Sequence, residues 1–211
     1  MSKQFFKIVA LTQKSLLGVS IALLAFGPVA LLIWGYLLPM SVIGIFYTVS
    51  LVSVTFVMSI RPLADIANDV PQIRALVILR KGFGVLSASI IVTFLLAKLI
   101  EPESVYLASV LTPAYWSLNS FSLFAHLGDI TGVILLITSN TFSKRILGPW
   151  WKRVQKLAYI YFYAGALYEM LALQSTFAMI AMGMVTVLVL IAWVKKRFEK
   201  VIAPATTNVA A

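Results

Sequence analysis

The chain has 211 residues, 61% of them hydrophobic and 11% charged, with a mean hydropathy of +0.99. Soluble domains are about 45–50% apolar and about 25% charged, so this chain lacks the polar residues to clothe a water-facing surface and reads as an integral membrane protein. The absence of cysteine excludes disulfides, thiolate metal sites, iron–sulfur clusters and covalent c-type haem, and the net charge of +10 sits in short runs between apolar stretches, which argues against a nucleic-acid partner.

Residues 1–14 form a basic segment with Lys3, Lys7 and Lys14. No residue from Ser15 to Ile60 is charged, which leaves room for two spans of about 20 residues with a turn at Pro39. Helices are expected at 15–38 and 41–60, the first uncleaved because its apolar run exceeds the roughly 7–15 residues of a signal-peptide core. A polar segment with Arg61, Asp65, Asp69, Arg74, Arg80 and Lys81 precedes a third helix at 82–97. After Glu101 and Glu103, the amphipathic rings of Tyr106, Tyr115 and Trp116 suit the headgroup level. A fourth helix at 121–139, a loop with Lys144, Arg145, Lys152 and Arg153, a fifth helix at 154–173 and a sixth at 176–194 complete the membrane domain, residues 15–194. Residues 195–211 start basic and then lose any apolar period, so a disordered cytoplasmic tail is expected there. The fold class is thus an all-α, six-helix transmembrane bundle, with no internal repeat and no segment long enough for a soluble catalytic domain.

With a cytoplasmic amino terminus, sixteen of the seventeen basic residues fall on the inner side and Lys98 alone lies outside, so the positive-inside rule places both termini in the cytoplasm. Glu101, Glu103 and Glu169 share the outer side. Lys98 and Glu169 are expected at the interface, where long side chains snorkel.

Ionisable residues inside the apolar helices are costly and therefore candidate functional groups. His126, the single histidine, and Asp129 are three apart on one helix, so they share a face and the carboxylate can orient or charge the imidazole. Gly128 and Gly132 form a GxxxG on the same helix, a motif that normally serves close helix packing. Gly82, Gly84 and Ser87 superficially match a dinucleotide glycine fingerprint, but a membrane span follows them and no strand precedes them. No catalytic residue is assigned, and one histidine without cysteine cannot make a three-ligand metal site.

Thr138, Ser139, Leu147, Gly148, Trp151, Leu157 and Tyr159 form a run that resembles the ferric-reductase-like transmembrane domain superfamily. It is nearest to the small haem-binding membrane subunit of the bacterial methionine sulfoxide reductase system (the YedZ/MsrQ type). That family carries a Thr-Ser pair, seven residues, Leu-Gly, a Trp and then a helix with two haem-ligating histidines thirteen apart. Arg80, Lys81 and Gly84 are similar to the basic pair and glycine that precede its third-helix histidine, and the resemblance extends from Arg61 to Leu173. It implies six helices, a bacterial inner membrane and electron transport through haem.

At the two fifth-helix positions where the family has histidines, this chain has Gln155 and Tyr168, and near the third-helix position it has Thr93 and Phe94. A b-type haem held between two imidazoles cannot form within a chain that has one histidine. The leading expectation is therefore a haem-free, degenerate ferric-reductase-like protein with no cofactor, acting as a binding or scaffold subunit. Phe94, Tyr159, Tyr161, Tyr163 and Tyr168 would fill the haem volume, and membrane lipids and other membrane or soluble subunits would be its partners. One alternative is an electron-transfer subunit with a single noncanonical haem, bound by His126 with Met170 or Tyr168, or with a quinone or flavin. A second is a small proton-coupled transporter using His126 and Asp129.

Overall fold

The computed structural model describes residues 3–35, 39–101, 106–118 and 121–207, and they are helical throughout, with no strand among them. The order is α1 (Lys3–Trp34), α2 (Met40–Ile66), α3 (Pro71–Leu76), a 3₁₀ turn Val77–Leu79, α4 (Arg80–Ile100), α5 (Tyr106–Val110), a 3₁₀ turn Pro113–Trp116, α6 (Ser122–Thr138), α7 (Thr141–Leu147), α8 (Trp150–Val154), α9 (Leu157–Ala172) and α10 (Thr176–Thr207). Four stretches are long and apolar enough to cross a membrane: Lys3–Trp34, Val42–Ile66, Pro71–Ile100 and Thr176–Glu199. The bent pair α6 and α7 makes a fifth if it counts as one span.

Several expected boundaries move. The first helix begins at Lys3, inside the segment read as a basic leader, and the second runs on to Ile66 through Arg61 and Pro62, where bulk-facing charge does not break a helix. Residues 36–38, the expected end of the first helix, lie outside the described residues, as does Glu103. The expected fifth helix starts three residues later: α8 ends at Val154, Lys156 donates its backbone N–H to the Arg153 carbonyl in a tighter i→i+3 turn, and α9 then runs from Leu157 to Ala172. The segment past Lys200 continues as helix to Thr207, where a disordered tail was expected; Asn208 to Ala211 are outside the described residues. At 17 and 16 residues, α6 and α9 reach only about 26 and 24 Å, short of a hydrocarbon core of about 30 Å.

Helices α2, α4, α6, α9 and α10 pack as a ring in which α4 touches α2 and α6, and α9 touches α6, α10 and α2; α1 rests outside on α4. Because lipid tails are as apolar as the helix faces, association depends on close packing and buried hydrogen bonds. Small residues make those contacts. The GxxxG of α6 faces α9: a side chain at Gly128 would sit 3.9 Å from the Gly165 backbone nitrogen, and one at Gly132 would meet the Tyr161 ring at 3.0 Å. On α1, a Cβ at Gly27 would meet Thr93 Cγ2 at 2.5 Å, and Thr93 donates its hydroxyl to the Leu23 carbonyl at 3.1 Å. Gly82 fits against α1 in the same way, its N–H bonded to Gln13 Oε1 at 3.1 Å.

At the basic end, α10 is fastened to α2. Lys195 Nζ donates to the Ile66 carbonyl at 2.8 Å and Lys196 pairs with Asp65 at 2.7 Å, so cations sit at the negative end of the α2 dipole. Arg80 donates from Nε to the Val57 carbonyl at 3.1 Å.

Overpacking the α1–α4 seam gives a direct check. Gly27→Ala is expected to destabilise the detergent-solubilised chain by about 1–3 kcal/mol, because Thr93 is short and already hydrogen-bonded. Gly18→Ala, with nothing within 4 Å of its Cβ, should instead leave stability unchanged or raise it by up to about 1 kcal/mol, since alanine favours the helix. Equal unfolding midpoints for the two variants would show that α1 does not pack on α4 as described.

Candidate functional site

Two adjoining cavities open at the end of the bundle that carries Lys98, opposite the basic loops. The first, about 220 Å³, lies between α2, α4, α6 and α9. Its wall combines Tyr47, Ser50, Phe94, Lys98, Asp129, Tyr161, Tyr168 and Glu169 with small residues such as Gly128, Gly165 and Ala166. Asp129 and Glu169 thus converge from α6 and α9 on one space, with a lysine from α4 beside them. The second cavity, about 240 Å³, is lined by Tyr106, Tyr115, Trp116, His126 and Asp129 with aliphatic side chains of α4 and α6. Asp129 borders both.

Tyr161 is the most constrained of these groups. It is buried, and its hydroxyl lies 2.9 Å from Ser87 Oγ and 3.5 Å from Ser50 Oγ, while the two serines are 2.9 Å apart. Three helices, α2, α4 and α9, share this hydroxyl cluster. Phe94 stacks on Tyr47, centroids 5.2 Å apart, and meets Phe46 edge-on, so two aromatic rings occupy one flank of the first cavity. Tyr163 turns the other way, its hydroxyl 2.9 Å from Thr186 Oγ1 on α10, and Tyr159 is exposed.

The positions singled out by resemblance separate into two levels. Phe94 and Tyr168, from different helices, line the same cavity. Thr93, the neighbouring candidate, points at α1 instead. Gln155 lies near the opposite end of the bundle, thirteen residues before Tyr168 and therefore about 20 Å away along the helix axis; its Nε2 donates to Thr138 Oγ1 at 3.4 Å beside the Trp151 Nε1 bond to the Thr138 carbonyl at 3.0 Å.

His126 does not face the first cavity. Its ring stacks on Tyr115 with centroids 3.3 Å apart and 10° between planes, and Trp116 meets it edge-on at 5.8 Å. Neither ring nitrogen has a hydrogen-bond partner among the described residues, so the spacing of three from Asp129 does not produce a His–Asp hydrogen bond. Met170 packs against the core formed by Leu51, Val54 and Phe162 and lines neither cavity. The candidate pairing of His126 with Met170 or Tyr168 therefore does not converge on one space. Among the described residues no cluster of three or more His, Asp or Glu side chains is placed to hold a metal ion.

The aromatic segment expected at the headgroup level forms a lid on the second cavity. Tyr115 donates its hydroxyl to that of Tyr106 at 2.8 Å, and Trp116 Nε1 bonds the Val110 carbonyl at 2.9 Å. Burial pushes both phenols above their ordinary pKa, so this pair stays neutral at physiological pH. Lys98 and Glu169, expected to snorkel, both line the first cavity. Tyr47 and the serine cluster were not anticipated. Their signal in the sequence is faint: Ser50 and Ser87 are hydroxyl residues inside largely apolar runs of α2 and α4.

Comparison of the chain with family models, with curated proteins and with solved structures finds no match in any of the three.

Removing the phenol hydroxyl tests the cluster. Tyr161→Phe leaves Ser50 and Ser87 still bonded to each other, so the loss should be about 0.5–1.5 kcal/mol, whereas Tyr161→Ala opens a void beside Gly132 and should cost about 3–5 kcal/mol. Chemical unfolding in detergent micelles measures both; a Phe variant as damaged as the Ala variant would mean that the hydroxyl, not the ring, holds the three helices.

Proposed function

We propose that this chain is a haem-free bundle of ferric-reductase-like design that works as a binding or scaffold subunit of a complex in a bacterial inner membrane. In this reading α6 and α9 also cross the bilayer, giving six spans with both termini on the cytoplasmic side. The charge distribution supports that topology: the basic residues of α7, α8 and the end of α10 all follow spans that would leave them on one side. Local bilayer thinning and flanking charged residues accommodate the short α6 and α9.

The observation that carries the proposal is the meeting of Phe94 and Tyr168 in one cavity. The resemblance marks Tyr168 as a haem-ligand position and Phe94 as lying near another, and both side chains line the same cavity. What fills that space does not suit a haem. No imidazole, thiolate or thioether lines it, and of its three tyrosines Tyr161 is committed to Ser50 and Ser87. The remaining volume of about 220 Å³ falls below the roughly 300–1,000 Å³ of pockets for drug-sized ligands. Stacked Phe94 and Tyr47 take up room that a macrocycle would need.

One absorption experiment tests this. Chain expressed with added haem and purified in detergent is expected to show no Soret band, oxidised or dithionite-reduced, and no pyridine haemochrome. The double variant Phe94→His with Tyr168→His should acquire a b-type spectrum, since it places two imidazoles across the same space and removes aromatic bulk. Stoichiometric haem in the unmodified chain would overturn the proposal. Failure of the double variant to bind haem while still folded would remove the ferric-reductase-like part of it.

A second reading, a small proton-coupled transporter, draws on one observation: Asp129 borders both cavities and faces the same space as Glu169. It predicts proton-driven flux in proteoliposomes that Asp129→Asn abolishes. Flux insensitive to that change, or absent from the unmodified chain, would dispose of it.

A further inference from the structure

The turn after α6 carries a second site, at the other end of the molecule from the cavities. Asn140 caps α7 by accepting the Ser143 N–H at 2.7 Å, and α7 leaves α6 at 94°. A helix at right angles to a span runs along the membrane surface. Gly148, at φ +49°, then reverses the chain into α8, and Trp151 is pinned to the Thr138 carbonyl at 3.0 Å. The elbow is therefore fixed by hydrogen bonds at both ends.

Its chemistry is two-sided. Phe142, Ile146 and Trp150 are 69%, 67% and 62% exposed, far more than an apolar side chain facing water warrants. Phe142 and Ile146 are four apart and share one face of α7. Four cations flank them: Lys144 and Arg145 in the last turn of α7, and Lys152 and Arg153 in α8. Two are held over indole rings, Arg153 at 4.3 Å from the Trp150 centroid and Lys144 at 5.3 Å from that of Trp151. None of the four has a carboxylate within salt-bridge distance among the described residues, in contrast to Arg61, Lys195 and Lys196.

We propose that the α7–α8 elbow is a binding site for the headgroup of an anionic phospholipid. Phe142, Ile146 and Trp150 enter the acyl boundary, and Lys144, Arg145, Lys152 and Arg153 converge on the phosphodiester. Exposed apolar side chains select a lipid over a soluble anion, because only the lipid buries them. Uncompensated positive charge selects an anionic headgroup over a zwitterionic one. The site rests on α6 crossing the membrane and is independent of what occupies the cavities.

The test uses the full chain released from nanodiscs of equimolar phosphatidylglycerol and phosphatidylcholine into native mass spectrometry. The unmodified chain should retain phosphatidylglycerol preferentially. Replacing Lys144, Arg145, Lys152 and Arg153 together by Gln should reduce that preference about tenfold or more, while Lys3→Gln with Lys7→Gln leaves it intact. Equal retention of the two lipids, or a preference that survives the quadruple substitution in a chain that melts normally, overturns the proposal. So does displacement of the lipid by millimolar inorganic phosphate. Because the chain is free of cysteine, Ser143→Cys and Lys3→Cys can each be labelled by an impermeant maleimide in oriented vesicles. Labelling from the same face with no lipid preference defeats this site alone, and labelling from opposite faces defeats the six-span topology.

Discussion

The seating of Tyr161, its ring against Gly132 and its hydroxyl between Ser50 and Ser87, is the point on which the bundle turns. In a hydrocarbon medium an unsatisfied hydroxyl is expensive and helices gain nothing from hiding apolar faces from one another. The Ser50–Ser87–Tyr161 cluster meets both conditions at once: it satisfies three buried polar groups and fixes the register of α2, α4 and α9. Tyr161 can reach that position because Gly132 offers no side chain to its ring. With Tyr161 seated there, the space above it is bounded on one side by the Phe94–Tyr47 stack and on the other by Tyr168 and Glu169. The cavity is what remains at the Lys98 end after the helices have closed around the hydroxyls.

This ordering explains why the carboxylates face inward. Asp129 lies one residue after Gly128, turned to the edge of the α6 face that approaches α9, so that it borders both cavities, and Glu169 lies one helical turn beyond Gly165 and Ala166 on α9. The residues that let the backbones approach thus bring the acids toward one another. Their presence in the wall together with Lys98 makes that end of the bundle polar.

Much of this was legible in the chain. The uncharged run from Ser15 to Ile60 and the GxxxG at Gly128 and Gly132 each report a local pattern, and each has its expected counterpart in the fold. Two kinds of information were not. Spacing along one helix says nothing about the neighbour it meets: His126 and Asp129, placed on one face by their separation, do line the second cavity together, but the imidazole stacks on the Tyr115 ring without a hydrogen bond while the carboxylate also borders the space beside α9. Helix ends were equally opaque. Basic residues at Lys3, Lys7 and Lys195 to Arg197 mark a membrane boundary, but a helix outlasts the bilayer wherever its backbone can continue bonding to itself, as α1 and α10 do.

The basic end of the molecule puts its charges to two different uses. At the basic end, Lys195, Lys196 and Arg80 spend their charge internally, on the Ile66 and Val57 carbonyls and on Asp65, and these contacts hold α10 and α4 against α2. Such cations cannot serve a ligand without loosening the bundle. Those of the α7–α8 elbow are differently placed: two of the four, Lys144 and Arg153, sit over tryptophan rings, and their helices join the rest of the fold through Asn140, Trp151 and Gln155 and not through these charges. A guanidinium on an aromatic face keeps all its N–H donors available. Structural and recognition charges are thereby separated within one basic surface, and the separation follows from where carbonyl acceptors at helix ends are in reach: α2 presents one to α10, while the last turns of α7 and α8 bond to the residues just after them, the Lys144 carbonyl to Gly148 N–H and the Arg153 carbonyl to Lys156 N–H.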